Sequence, residues 1–167
     1  MFEYLAVHHR IVVTGPQRSG TRIAAQMIAA DTGQRFVDEA EFLIKDSSRF
    51  REFLLQDGVV LQAPHMLKDV VDDPPPGIFI VLMRRDLDQV HASATRIGWT
   101  ENFGGNTTEL KKFGLTEGDS AAVKYDYWDS HEKTVPFLEL PYESLKGHPM
   151  WVPDDQRKSF GHWQTQP

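Results

Sequence analysis

Ile11-Val12-Val13-Thr14-Gly15-Pro16-Gln17-Arg18-Ser19-Gly20-Thr21-Arg22 decides how the rest of the chain is read. Three consecutive apolar β-formers lead into a loop bracketed by two glycines, and an alanine-rich helical segment, Ile23 to Ala30, follows at once. A strand, a glycine loop and a helix in that order bring loop amides and the unpaired N–H groups of a helix's first turn to one anion. Gly15 and Gly20 permit the tight turn and the close approach of backbone to oxygen. Ser19 and Thr21 contribute hydroxyls, and Arg18 and Arg22 contribute charge. The spacing Gly15-x-x-x-x-Gly20 is that of a P-loop, but Thr21 stands where the nucleotide-hydrolysing version carries lysine.

The alternation of segments continues outward from there. Asp31-Thr32-Gly33 reads as the stop of the first helix. Arg35 to Asp38 is a short strand, and Ser47 or Ser48 caps a helix with Phe50, Phe53 and Leu54 on one face. Gly58 to Leu61 is a buried-type strand ending at Ala63-Pro64-His65, and Asp73-Pro74-Pro75-Pro76-Gly77 is a turn. Ile78 to Met83 is the most hydrophobic strand, without alternation, as a strand covered on both faces should be. Arg84-Arg85-Asp86 closes it, and Asp86 caps a helix with Leu87, Val90, Ala94 and Ile97 on an apolar side and Gln89, Ser93 and Arg96 on a polar side. Asn102 to Asn106 reads as a mobile loop. A helix from Asp119 to about Lys133 presents Val123, Tyr127 and His131 at four-residue spacing. Phe137 to Leu140 is a last strand, and the turn-rich tail has Trp151 and Trp163 as anchors. This pattern predicts one α/β domain over 1–167, a three-layer parallel sheet with a P-loop-like strand-loop-helix at its N-terminus. The ends of the strands preceding Arg18, His65 and Arg85 should then meet in one cleft.

Composition sets bounds. The chain has 167 residues, 40% hydrophobic and 25% charged, and a net charge of -6. The acidic balance argues against general nucleic-acid binding, so an anionic ligand must meet a local concentration of arginine, here Arg18, Arg22, Arg84, Arg85 and Arg96. The longest apolar run, Ile78 to Met83, is far short of a membrane span of about 20 residues. Met1 to Arg10 is too short and polar for a signal peptide, and there is no cysteine. No membrane partner and a cytoplasmic location are expected.

Arg18-Ser19-Gly20-Thr21 resembles the 5′-phosphosulfate loop of the sulfotransferases, which carry Pro-Arg/Lys-Ser-Gly-Thr-Thr; Gln17 and Arg22 depart from that pattern. Arg85, at a strand end, with Ser93 eight residues later on the next helix, resembles the family's second signature, although Leu87 replaces a common proline. Tyr142-Glu143-Ser144-Leu145 is similar to a family segment after a late strand, and Arg157 to Trp163 loosely resembles its basic-glycine segment. The resemblance implies that 3′-phosphoadenosine 5′-phosphosulfate is the sulfuryl donor. Gly15, Arg18, Ser19, Gly20, Thr21 and Arg22 would bind its 5′ end, and Arg85 and Ser93 its 3′-phosphate. Arg18 and the loop amides would also stabilise developing negative charge, and no metal is expected.

The family places a catalytic base at a strand end, and two residues here correspond. Glu39 lies 21 residues past Arg18, as a catalytic glutamate does in the tyrosylprotein and related sulfotransferases. His65 follows a strand, as a histidine does in cytosolic members, with Gln62 replacing the family's lysine. A histidine suits proton transfer at neutral pH unaided, whereas a glutamate must be raised by burial or neighbours; Glu39 is narrowly preferred. The acceptor, a hydroxyl or amine on a small molecule or peptide, is not encoded in any motif. Trp99 to Phe113 and the helix with Tyr125, Tyr127 and Trp128 are aromatic enough to line its pocket, although such residues at helical spacing more often form core. Two other functions fit the loop: a small P-loop kinase, with Asp86 as the magnesium-side carboxylate, and a non-catalytic nucleotide-binding module.

Overall fold

The computed structural model describes residues 1–42, 47–99, 107–153 and 156. The elements, in chain order, are β1 (Arg10–Thr14), α1 (Thr21–Thr32), β2 (Arg35–Val37), α2 (Ser47–Leu54), β3 (Val59–Gln62), α3 (Leu67–Asp72), β4 (Phe79–Arg84), α4 (Leu87–Arg96), α5 (Thr107–Lys112), α6 (Ser120–Ser130) and β5 (Phe137–Pro141). The five strands form one sheet in the order β2-β3-β1-β4-β5, and every pairing is parallel. The chain is therefore α/β, with helices flanking a parallel sheet. No helix among the described residues is long and apolar enough to cross a membrane.

The continuous apolar strands are explained by two cores. Successive side chains of a strand point to opposite faces. Ile11 and Val13 enter one core with Val60, Val81 and Met83, against Ala24, Ala25, Met27 and Ile28 of α1. Val12 enters the other with Leu61, Ile80 and Leu82, against Phe50, Leu54, Leu67, Val70 and Trp128 of the helices opposite. In register, Val12 lies between Leu61 and Ile80. Burying both faces removes alternation from the sequence.

The strand order positions the site. The crossover through α1 carries the chain from β1 past β3 to β2, with α1 on one face. The returns to β3 and β4 place α2 and α3 on the other. Connections leaving β1 and its neighbours for opposite faces open a crevice beyond their carboxyl ends. Ala63 N–H donates to Val13 O at 2.9 Å, and Thr14 Oγ1 donates to Ala63 O at 2.9 Å. The loop after β1 is thereby fixed against the turn after β3.

Several expectations are corrected. The first segment contributes a 3-10 turn, Glu3–Val7, whose Leu5 joins Phe2 in the core beside α1. Two short helices, α3 and α5, stand where no helix was anticipated; each is only six residues long, too short for periodicity to mark. On α6 the buried stripe is Ala121, Lys124, Tyr125 and Trp128, while Val123 and Tyr127 are half-buried and His131 is exposed. That helix stops at Ser130, where Lys133 Nζ donates to the carbonyl oxygens of Trp128 and His131 and so satisfies its C-terminal end. Trp151 packs edge-on to Tyr142. The segment Asn102 to Asn106, Trp163, and Arg157 to Trp163 lie outside the described residues.

Gly20 is held in a left-handed conformation, φ 101°, and an added Cβ would meet the Tyr142 ring at 2.6 Å. Gly58 has φ 73° but open space around it. In urea titrations, Gly58→Ala should cost about 1 kcal/mol from backbone strain alone. Gly20→Ala should cost roughly 2–5 kcal/mol, because strain and overpacking add; equal losses would contradict the packing of Tyr142 against the loop.

Candidate functional site

The loop 15–20 carries the chain from β1 into α1. Gly20 is the N-cap of α1 and provides no side-chain cap, and the first turn of the helix holds no acidic residue. The helix therefore presents its uncompensated positive end to the crevice. Ser19 is fully buried, and its hydroxyl donates to Pro16 O at 2.7 Å, inside the loop. Thr21, also buried, accepts at Oγ1 from Gln62 Nε2 at 3.4 Å. Arg22 forms an ion pair with Asp38 at 2.7 Å. Two of the loop's expected ligand hydroxyls thus also hold the loop's own structure.

Arg18 adopts φ 69°, the one non-glycine residue with positive φ among those described. Its guanidinium donates to Ser93 Oγ through Nε at 3.2 Å and Nη2 at 3.0 Å. Ser93 was read as a polar-side residue of its helix, yet it is only 3% exposed. Its hydroxyl accepts from Arg18 across the crevice and, at 3.5 Å, from Arg96 on its own helix. Arg85 Nη1 donates to the Arg18 carbonyl at 3.1 Å, and its guanidinium stacks 3.8 Å from the centre of the Tyr142 ring. Tyr125 accepts from Arg85 N–H at 2.9 Å and donates to Met83 O at 3.2 Å, which fixes the chain as it leaves β4. Arg18, Arg85, Ser93 and Gly20 therefore belong to one neighbourhood at the carboxyl ends of β1 and β4.

Glu39 and His65, read as alternatives, are neighbours. Glu39 opens a 3-10 turn, Glu39–Glu41, that Asp38 and Glu41 close with a capping box. Its N–H donates weakly to Gln62 Oε1, at 3.4 Å, so Gln62 bridges Glu39 to Thr21. His65 sits in the 3-10 turn Pro64–Met66 after β3. Its Nε2 lies 3.7 Å from Glu39 Oε2. That oxygen is buried and has no hydrogen-bond partner among the described residues. Burial pushes the Glu39 carboxyl above its ordinary range, with the charge of His65 opposing. The condition set for a glutamate base, an environment that raises it, is present here.

Two residues that no motif marked complete this group. Glu109 on α5 lies 3.3 Å from His65 Nδ1, and Lys124 on α6 pairs directly with Glu109. Lys124 is 1% exposed and Glu109 4%. Lys124 Nζ also donates to Gln17 Oε1 and to Pro64 O, each at 2.8 Å. Gln17 Nε2 in turn lies 2.9 and 3.0 Å from the two ring nitrogens of His65 and donates toward both Glu109 oxygens. Burial works to raise Glu109, but the His65 hydrogen bond and the Lys124 charge outweigh it and hold the carboxyl down at about 2. Burial pulls the Lys124 ammonium below its ordinary value, opposed by Glu109. The available sequence signal was Lys124 itself, a lysine at the spacing of Ala121 and Trp128 on an apolar stripe, which must find an anion inside. Tyr125 and Trp128, considered for an acceptor pocket, are core: Trp128 is fully buried and donates to Glu139 at 2.8 Å.

No protein-family model matches the chain, and no curated protein is significantly similar to it.

The two buried carboxylates should act oppositely on stability. Glu109 is held below its ordinary 4.5 in the fold, so its contribution is present above that pH and is lost as pH falls toward 2. Glu39 is raised, so its ionisation weakens the fold as pH rises above 4.5. Urea titrations across pH should find Glu39→Gln slightly stabilising at neutral pH and without effect in acid. Lys124→Met should cost about 3–5 kcal/mol at neutral pH by stranding the carboxylate. Most of that loss should return in Lys124→Met/Glu109→Leu.

Proposed function

We propose that the chain is a small sulfotransferase that moves a sulfuryl group from 3′-phosphoadenosine 5′-phosphosulfate to a hydroxyl or amine acceptor. The observation that carries the reading is the contact of Arg18 with Ser93 and of Arg85 with the Arg18 carbonyl, at 3.0 and 3.1 Å. Both sequence signatures of the resemblance thus share one crevice with the N-terminus of α1. The donor set suits a ligand carrying two anionic groups: two guanidiniums with fork geometry, a hydroxyl and a helix N-terminus. A P-loop-like role for residues 15–20 follows from the same set and is part of the proposal.

When bound, the donor supplies the sulfuryl group: the acceptor atom bonds to sulfur while the bridging S–O bond breaks and its electron pair leaves with the 5′-phosphate. The loop amides and the α1 N-terminus would face the 5′ end, and Arg85 with Ser93 the 3′-phosphate. Arg18 holds Ser93 Oγ through Nε and Nη2, and a bound anion would form a stronger, charge-assisted bond to the same guanidinium. The acceptor's proton would pass to the Glu39–His65 pair. Their atoms lie 3.7 Å apart, so the pair acts as one proton-accepting unit rather than as two competing bases.

A kinase reading is weaker here. Lys124 is the fully buried lysine beside the loop, and it is committed to Glu109, Gln17 and Pro64. Asp86 spends its side chain on the cap of α4, accepting from Gln89 N–H.

Adenosine 3′,5′-bisphosphate should raise the midpoint of thermal unfolding, and ATP with magnesium should not. Stabilisation by ATP-magnesium alone would remove the sulfotransferase reading in favour of a kinase. Arg85→Ala should weaken bisphosphate binding by a factor on the order of 10–100 while leaving free sulfate nearly unchanged, the loss of about 1.5–3 kcal/mol expected for a charged hydrogen bond. Labelled-sulfate transfer to an acceptor panel separates an enzyme from a binding module. In that assay Glu39→Gln and His65→Asn should each reduce turnover on the order of 100-fold.

A further inference from the structure

The proposed sulfuryl transfer requires a proton acceptor but does not say which atom receives the proton. His65 is faced by four other side chains. Gln17 comes from the loop after β1, Glu39 from the turn after β2, Glu109 from α5 and Lys124, through Glu109 and Gln17, from α6. A fifth group, Lys112 on α5, donates to the His65 carbonyl at 3.0 Å and fixes the backbone beneath the ring.

We infer that Glu109, held by Lys124, is a positioning residue that keeps a proton on His65 Nδ1 and leaves Nε2 as the atom that accepts one. Glu109 Oε1 lies 3.3 Å from Nδ1 and is ionised beside a buried ammonium. A carboxylate offers only lone pairs, so a ring nitrogen beside it is favoured in its protonated form. The neutral imidazole then has its lone pair on Nε2, the nitrogen on the Glu39 side. Gln17 Nε2 lies 2.9 Å from Nδ1 and 3.0 Å from Nε2 and donates toward both Glu109 oxygens, so the choice of tautomer rests on the carboxylate and not on this amide.

The arrangement gives the buried Lys124 a purpose beyond neutralisation. A carboxylate left free to take a proton could offer either a donor or an acceptor to Nδ1, and the tautomer would be unspecified. The ammonium removes that freedom, because protonating Glu109 would strand a positive charge in the core. The Nδ1–H form is the less common one for a free imidazole side chain in water, so its presence would report the contact directly. The proton-accepting role rests on the sulfotransferase reading; the tautomer does not.

Long-range nitrogen–proton correlation spectra of the 15N-labelled chain, recorded where the imidazole is neutral, read the tautomer without any donor or acceptor. His65 is assigned by its disappearance in His65→Asn. The expected result is a protonated Nδ1 and an unprotonated Nε2; an Nε2–H ring in the wild-type chain overturns the inference. Glu109→Leu/Lys124→Met removes both buried charges together and should move His65 to the Nε2–H form, whereas retention of Nδ1–H in the folded double variant also overturns it. If the double variant does not fold, the wild-type spectrum decides alone. Absence of labelled-sulfate transfer by a wild-type chain that carries the Nδ1–H ring would remove the sulfotransferase reading and leave the positioning of His65 intact.

Discussion

A lysine ammonium with 1% exposure has to be surrounded by acceptors, and the crevice of this protein is built around meeting that demand. Lys124 gathers the Glu109 carboxylate, the Gln17 amide oxygen and the Pro64 carbonyl. Those three groups belong to α5, to the loop after β1 and to the turn after β3. One charge therefore ties α5 to the ends of the paired strands β1 and β3, and it does so beneath the residues proposed for chemistry. Removing the ammonium strands Glu109 and also releases Gln17 from its place between Lys124 and His65.

The sheet makes such a convergence possible. Five parallel strands put all of their carboxyl ends on one edge, and the order β2-β3-β1-β4-β5 sets β1 between β3 and β4. The loop of β1 is thus flanked by the turn that carries His65 and the strand end that carries Arg85. The two sides differ in character. Toward β3 and β2 lie Gln17, His65 and Glu39, with a buried carboxylate oxygen that has no hydrogen-bond partner among the described residues. Toward β4 lie Arg18, Arg85 and Ser93, a set of donors suited to anions. Under the proposed function, one flank of the loop would accept the proton and the other would bind the anions, the division of labour that a group-transfer site requires.

Much of this was legible along the chain. The glycine-bracketed turn, the unbroken apolar run Ile78 to Met83 and the cap at Asp86 are local features, and each marks its element because the physics is local: a backbone needing positive φ, a strand buried on both faces, a helix start needing an acceptor. Arg18 and Arg85 could be named from the family signatures they resemble, and Glu39 and His65 from their positions just after predicted strands. The order in which the strands align could not be read from those segments, since a buried parallel strand looks the same at the centre of a sheet as near its edge. Nor could the contact of Ser93 with Arg18 be read from its helix, because that partner lies 75 residues earlier.

What the sequence determined by itself is the sequence of elements and the chemistry available at their ends. What only the tertiary structure decided is which of those ends meet, and with what. Gln17 reaches Glu109 across 92 residues and Lys124 across 107. Such contacts leave no periodicity behind; they arise when two packed helices bring an ion pair to the edge of a sheet. The sequence reading set Val123, Tyr127 and His131 on one face of this helix; that Lys124 lies on the buried face, that its anion is Glu109 and that His65 stands beside it required the folded chain.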